Sequence, residues 1–155
     1  MTQDLWELTP ADFHLELSEE LDTSFIYYLA TPYSQYPGGP GAAYRFAALA
    51  QCGMLNIGIT CISPILNYHS AEALSTSRDG GWDKYAVHDM RLLLACHSLI
   101  FVDIGMVSYT STGMRAEYDH MRRLARSIWL WEPKAKSLRL CPISFNPWEI
   151  HKKAI

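Results

Sequence analysis

Glu117 is the carboxylate with the most promising surroundings. It closes the run Ser111-Thr112-Gly113-Met114-Arg115-Ala116-Glu117. A serine, a threonine and a glycine at the start of a helical pattern offer hydroxyls and free backbone N–H groups, a cradle for a phosphate or a sugar hydroxyl. About one turn further in, a glutamate can face the same crevice, where it could attack an anomeric carbon or stabilise an oxocarbenium-like transition state. Such chemistry usually takes a second carboxylate. Asp89, on the preceding helix, is the candidate to protonate the leaving base or bind the sugar, with Asp83 and Asp103 as rivals. The plain alternative is that Ser111 and Thr112 only cap a helix and Glu117 is a surface residue paired with an arginine.

Other groups fall near the same place. Tyr28 and the run Thr31-Pro32-Tyr33-Ser34 sit at and after one apolar segment, and Asn67 and His69 follow another. His69 can contact a base or move a proton, or simply be exposed. Pro37-Gly38-Gly39-Pro40-Gly41 lacks the Lys-Ser/Thr ending of a phosphate loop and the glycine spacing of a dinucleotide fold, so it reads as a lid or turn. Trp129 and Trp131 alternate within a strand pattern and read as core or interface packing. Cys52, Cys61, Cys96 and Cys141 lack metal or redox spacing and read as buried reduced thiols.

The elements that must position these residues follow from periodicity. Residues 24–30 form a short apolar run rich in β-branched and aromatic residues, as in a strand buried on both faces. Residues 42–56 carry alanine-rich helical spacing, and a second strand follows Gly58 and stops at Pro64. A polar loop holds Asn67 and His69. Helical spacing returns over 82–96, strand 98–104 follows, then helix 114–126, strand 127–131 and a last strand within 138–143. The alternation predicts an α/β, flavodoxin- or Rossmann-like three-layer fold around a mainly parallel sheet of about five strands, with ligands at the carboxyl ends of the strands. Residues 1–22, acidic and without a catalytic constellation, read as an N-terminal extension capping a domain of residues 23–155.

Composition narrows the partners. The 155 residues are 49% hydrophobic and 19% charged, enough for one sizeable core. A net charge of −3 argues against a nucleic-acid polymer, although Arg122, Arg123 and Arg126 could hold one phosphate. No apolar run reaches the roughly 18 residues that span a membrane, and the acidic start is no signal peptide, so a cytoplasmic location is expected.

Taken in order, Tyr28-Leu29-Ala30-Thr31-Pro32-Tyr33-Ser34, Ser63-Pro64-Ile65, Asp89 followed by Leu92 to Cys96, and Ser111-x-Gly113-x-x-x-Glu117 resemble the nucleoside 2-deoxyribosyltransferase-like superfamily. The likeness is strongest to a small branch marked by the first of these motifs, and it spans residues 25–131, about two-thirds of the chain. The resemblance implies a flavodoxin-like fold, a homodimer, and a metal-free, cofactor-free mechanism through a glycosyl-enzyme intermediate. In it Glu117 is the nucleophile, Tyr28 its hydrogen-bonding neighbour and Asp89 the acid or sugar-binding carboxylate. Ser111 and Gly113 resemble the phosphate-binding turn of deoxynucleoside monophosphate N-glycosidases. The pattern departs at His97, where relatives carry aspartate, and in the loop after residue 104, which lacks a tryptophan and bears on base recognition. The expected activity is therefore N-glycosidic cleavage or exchange on a nucleoside or its 5′-monophosphate. A noncatalytic nucleotide-binding module and an NAD glycohydrolase are the competing readings.

Overall fold

The computed structural model describes residues 7–33, 35–74, 82–140, 146 and 148, except the side chains of 70–74, 82–84 and 140. Strands β1 (Ile26–Ala30), β2 (Thr60–Ile62), β3 (Ser98–Val102), β4 (Ser127–Trp131) and β5 (Arg139–Leu140) form one sheet in the order β2-β1-β3-β4-β5. The first four are parallel and β5 is antiparallel at the edge. This is the flavodoxin-like order, whose topological switch lies between β1 and β3.

Alternation along the strands divides the core into two layers. Tyr27, Leu29, Ile100, Val102, Trp129 and Trp131 pack with helix α1 (Pro40–Asn56), so the two tryptophans are core residues. Tyr28, Ala30, Leu99, Phe101, Ile128 and Leu130 face the opposite layer, with helices α3 (Trp82–Ala95) and α5 (Thr112–Arg123). Both faces of each central strand are buried, which is why their sequences read as unbroken apolar runs.

Three expectations change. The stretch holding Asn67 and His69 is not a loop but helix α2 (Pro64–Leu74). Pro64 does not merely end a strand. It occupies the first helical turn, where its missing N–H costs nothing, and the Ser63 hydroxyl accepts from the Leu66 N–H at 3.3 Å as a cap. The loop after β3 contains a short helix, α4 (Met106–Tyr109). Cys52 is exposed, whereas Cys61 and Cys96 are buried thiols; Cys141 lies outside the described residues. The proline-glycine run is a turn into α1, with Gly38 and Gly39 at φ 91° and 87°, backbone that glycine adopts without strain.

The segment before β1 contributes to the core itself. Leu8, Phe13, Leu15 and Leu21 are buried in the α1 layer, and Phe13 meets Phe46 and Trp131 edge-on at 5.5 Å each. Its backbone is tied to the β4–β5 connection: the Lys134 N–H donates to Asp12 O at 2.6 Å and the Glu16 N–H to Lys136 O at 2.8 Å. Gly53 permits this approach, because a Cβ there would collide with the Phe13 carbonyl. Among the described residues no helix is long and apolar enough to cross a membrane.

Candidate active site

A cavity of about 310 Å³ opens at the carboxyl ends of β1 and β3, at the topological switch. Each neighbouring element supplies part of its wall. Thr31 and Tyr33 follow β1; Pro64, Ile65, Tyr68 and His69 come from α2; Tyr85 and Asp89 come from α3; and Ser111, Gly113, Met114 and Glu117 come from the start of α5. The walls are mostly hydrocarbon and aromatic, with the carboxylates of Glu117 and Asp89 set into them.

Helical spacing explains how Glu117 is placed. The buried face of α5 comprises Met114, Glu117, Tyr118 and Met121, so a glutamate takes a position that packing would give to an apolar side chain. It is 4% exposed. Burial pushes its carboxyl well above the ordinary range; the Tyr28 hydroxyl beside it lowers the pKa, and the negative charge of Asp89 raises it. No cation among the described residues relieves it. Arg115, the nearest arginine in sequence, instead pairs with Asp119 at 3.2 Å and lies 4.4 Å over the Trp148 ring.

Asp89 is placed by the same logic, since Asp89 and Leu93 form the inward stripe of α3, continued by Cys96 just past its end. It is 7% exposed, and burial raises its carboxyl to about 6. Tyr28, on β1 under both carboxylates, is sealed from solvent, and burial with the two negative charges pushes its hydroxyl far upward, keeping it neutral. Tyr28 Oη, like Thr31 Oγ1 and Asp89 Oδ1, has no well-formed hydrogen bond among the described residues, although its hydroxyl is near enough to Glu117 to lower that carboxyl. Unpaired buried polar atoms are costly, and three of the six found among the described residues lie at or just behind this cavity, the others being on Gln51, His120 and Trp131.

The rest of the α5 approach is firmly built. Ser111 caps the helix, accepting from the Met114 N–H at 3.3 Å, and the Thr112 and Gly113 amides at its N-terminus have no acceptor among the described residues. Asp103, a rival second carboxylate, is committed to the loop, accepting from the Gly105 N–H at 2.9 Å and the Tyr109 hydroxyl at 2.5 Å. Trp148 packs on Tyr109, Phe101 and Tyr118 beside α5 and donates to Tyr109 O at 3.0 Å.

Thus Thr31, Tyr33, His69, Asp89, Ser111, Gly113 and Glu117 converge on one cavity, with Tyr28 behind it. Pro32 is buried but is not on the described wall, and Asn67 is exposed outside it. Thr112 turns to a neighbouring depression with Thr110 and Arg115. Ser34 and the side chain of Asp83 lie outside the described residues. His97 is remote, at the opposite ends of the strands, where its Nδ1 accepts from the Ile26 N–H at 2.9 Å. Arg126 is also spent away from the cavity, donating to the carbonyls of Leu94 and Cys96 at the end of α3. Sequence reasoning missed Tyr68, Tyr85, Ile65 and Met114. The first and third are hidden once α2 is read as a loop, and the others look like ordinary helix-core residues. Among the described residues no group of three His, Cys, Asp or Glu is placed to hold a metal. In comparisons with known proteins, the chain matches no family model, no curated protein and no solved structure.

Proposed function

We propose that this chain cleaves or exchanges the N-glycosidic bond of a nucleoside or nucleoside 5′-monophosphate, with Glu117 as nucleophile. The observation that carries the reading is Glu117 itself: a carboxylate held without a cation in an apolar wall, beside a second buried carboxylate and a neutral phenol. Burial at this cost is what a reacting group requires and a structural one avoids.

In the first half-reaction a Glu117 oxygen forms a bond to C1′ while the C1′–N bond breaks and its electron pair leaves with the base, which takes the proton of Asp89. Asp89 suits the acid role because burial favours its neutral form. Burial also favours protonated Glu117, against its role. The Tyr28 hydroxyl and the positive charge that develops at C1′ pull the other way, stabilising the ionised form when a sugar is bound. Water or a second base then attacks C1′ as the C1′–O bond to Glu117 breaks, the attacking group's proton passes to Asp89, and both carboxyl groups return to their starting states. A 5′-phosphate would rest outside the two carboxylates, at the Thr112 and Gly113 amides next to Arg115. The homodimer in this reading would find apolar surface on α3, where Val87 and Leu94 are exposed.

Chromatography of free base after incubation with nucleosides, 2′-deoxynucleosides, their 5′-monophosphates and NAD, with and without an acceptor base, tests the reading. Base release is expected, faster with acceptor if transfer dominates. No release across the panel would favour a noncatalytic nucleotide-binding module.

A further inference from the structure

His69 is the one nitrogen-bearing side chain on the described wall of the cavity, on α2 rather than on the α3 and α5 segments that carry the carboxylates. Its ring is held from two sides. It stacks on Tyr44 at 4.6 Å between centroids and meets Tyr33 edge-on at 6.1 Å, and the Tyr33 hydroxyl lies 3.0 Å from Nδ1. Where the Tyr33 hydroxyl donates in this contact, Nδ1 accepts and the ring hydrogen is on Nε2. Nε2 has no protein partner among the described residues. A ring fixed on two sides, with its one donor unused, is arranged for a ligand acceptor.

We propose that His69 reads the base: with its tautomer set by Tyr33, Nε2–H donates to N7 of a purine whose planar ring lies against the Tyr68–Tyr85 stack. This rests on the reading that the cavity takes a nucleoside. The stacked pair, 5.1 Å between centroids and 23° from parallel, supplies a π surface on α2 and α3. Purines present a ring-nitrogen acceptor on the edge carrying N7, where pyrimidines have none. The imidazole donates and the tyrosines hold; no proton is transferred in this contact.

The test is calorimetric binding of adenosine, 7-deazaadenosine and uridine to the full chain carrying Glu117→Gln, which silences turnover. Adenosine should bind about tenfold more tightly than 7-deazaadenosine, the worth of one hydrogen bond, and more tightly than uridine. Adding His69→Phe, which keeps a ring to stack on Tyr44 but has no N–H, should bring adenosine and its deaza analogue within about twofold of each other. Tyr33→Phe should reduce the preference with the imidazole still present, and it stands in if His69→Phe fails to fold. Equal binding of adenosine and 7-deazaadenosine, a preference that survives His69→Phe, tighter binding of uridine, or no binding at all overturns the proposal. The glycosidic reading fails separately, through absence of base release by the unmodified chain: discriminated binding without turnover would sink the chemistry and leave His69 in place.

Discussion

Glu117 and Asp89 are two acids at one cavity, each pushed upward by burial, and they titrate as a pair. Base release needs the pair to hold one proton, so kcat/KM should be bell-shaped in pH, failing at low pH as Glu117 is protonated and at high pH as the second proton leaves. Asp89→Asn should abolish the alkaline fall and lower the maximum by about 10²-fold or more, read from a pH–rate profile. Stability moves in a definite direction. A carboxyl whose folded pKa lies above its unfolded value binds more protons when folded, so stability falls as pH rises through the interval, from 3.8 to about 6 for Asp89. Asp89→Asn and Glu117→Gln should therefore raise the Tm by several degrees at about pH 7 and by almost nothing near pH 3, by thermal melts, since the buried charge costs on the order of 2–3 kcal/mol for Asp89. Both residues were legible from their places, Glu117 one turn after Ser111-Thr112-Gly113 and Asp89 on the preceding helix; their burial among Met114, Tyr118 and Met121 and beside Leu93 was not, since a surface glutamate fits the same spacing. Tyr28 was placed near the site by its strand, but its role as the neighbour of Glu117 followed only from the resemblance.

At the scale of elements, α5 carries most of the proposed chemistry, and its start is fixed by Ser111. Ser111→Ala should cost about 1 kcal/mol in urea denaturation by removing the cap, and should slow base release by loosening the start of the helix that holds Glu117. Helices α1, α3 and α5 were readable from 3.6-residue spacing, and β4 from its alternating tryptophans. Helix α2 was not. Its proline, asparagine, histidine and serines are residues of turns and caps, and what makes it helical is the Ser63 cap and the packing of its inner face against α1. Tyr68 and His69 acquire a direction only once that helix exists; His69 and Tyr33 were legible as candidates, while the Tyr68–Tyr85 part of the aromatic wall was not.

The whole molecule explains why the cavity is where it is. In a parallel sheet ordered β2-β1-β3-β4-β5, the connections after β1 and β3 leave toward opposite faces and open a crevice at their carboxyl ends. A mainly parallel sheet with its site at the carboxyl ends followed from strand and helix alternation; the strand order, and with it the switch point, did not. The place of the N-terminal segment did not, because its acids conceal the four apolar residues that dock on α1 and β4. Phe13→Ala should cost roughly 3–5 kcal/mol by chemical denaturation, as for a core aromatic, whereas an appended extension would lose almost nothing. The account's central claim is that Glu117 attacks the anomeric carbon. It is tested most directly by base release from the best nucleoside substrate, comparing the unmodified chain with Glu117→Ala and with Cys52→Ser, an exposed site on α1. The account predicts a loss of about 10³-fold or more for Glu117→Ala and near-normal release for Cys52→Ser. Undiminished release by folded Glu117→Ala would contradict it.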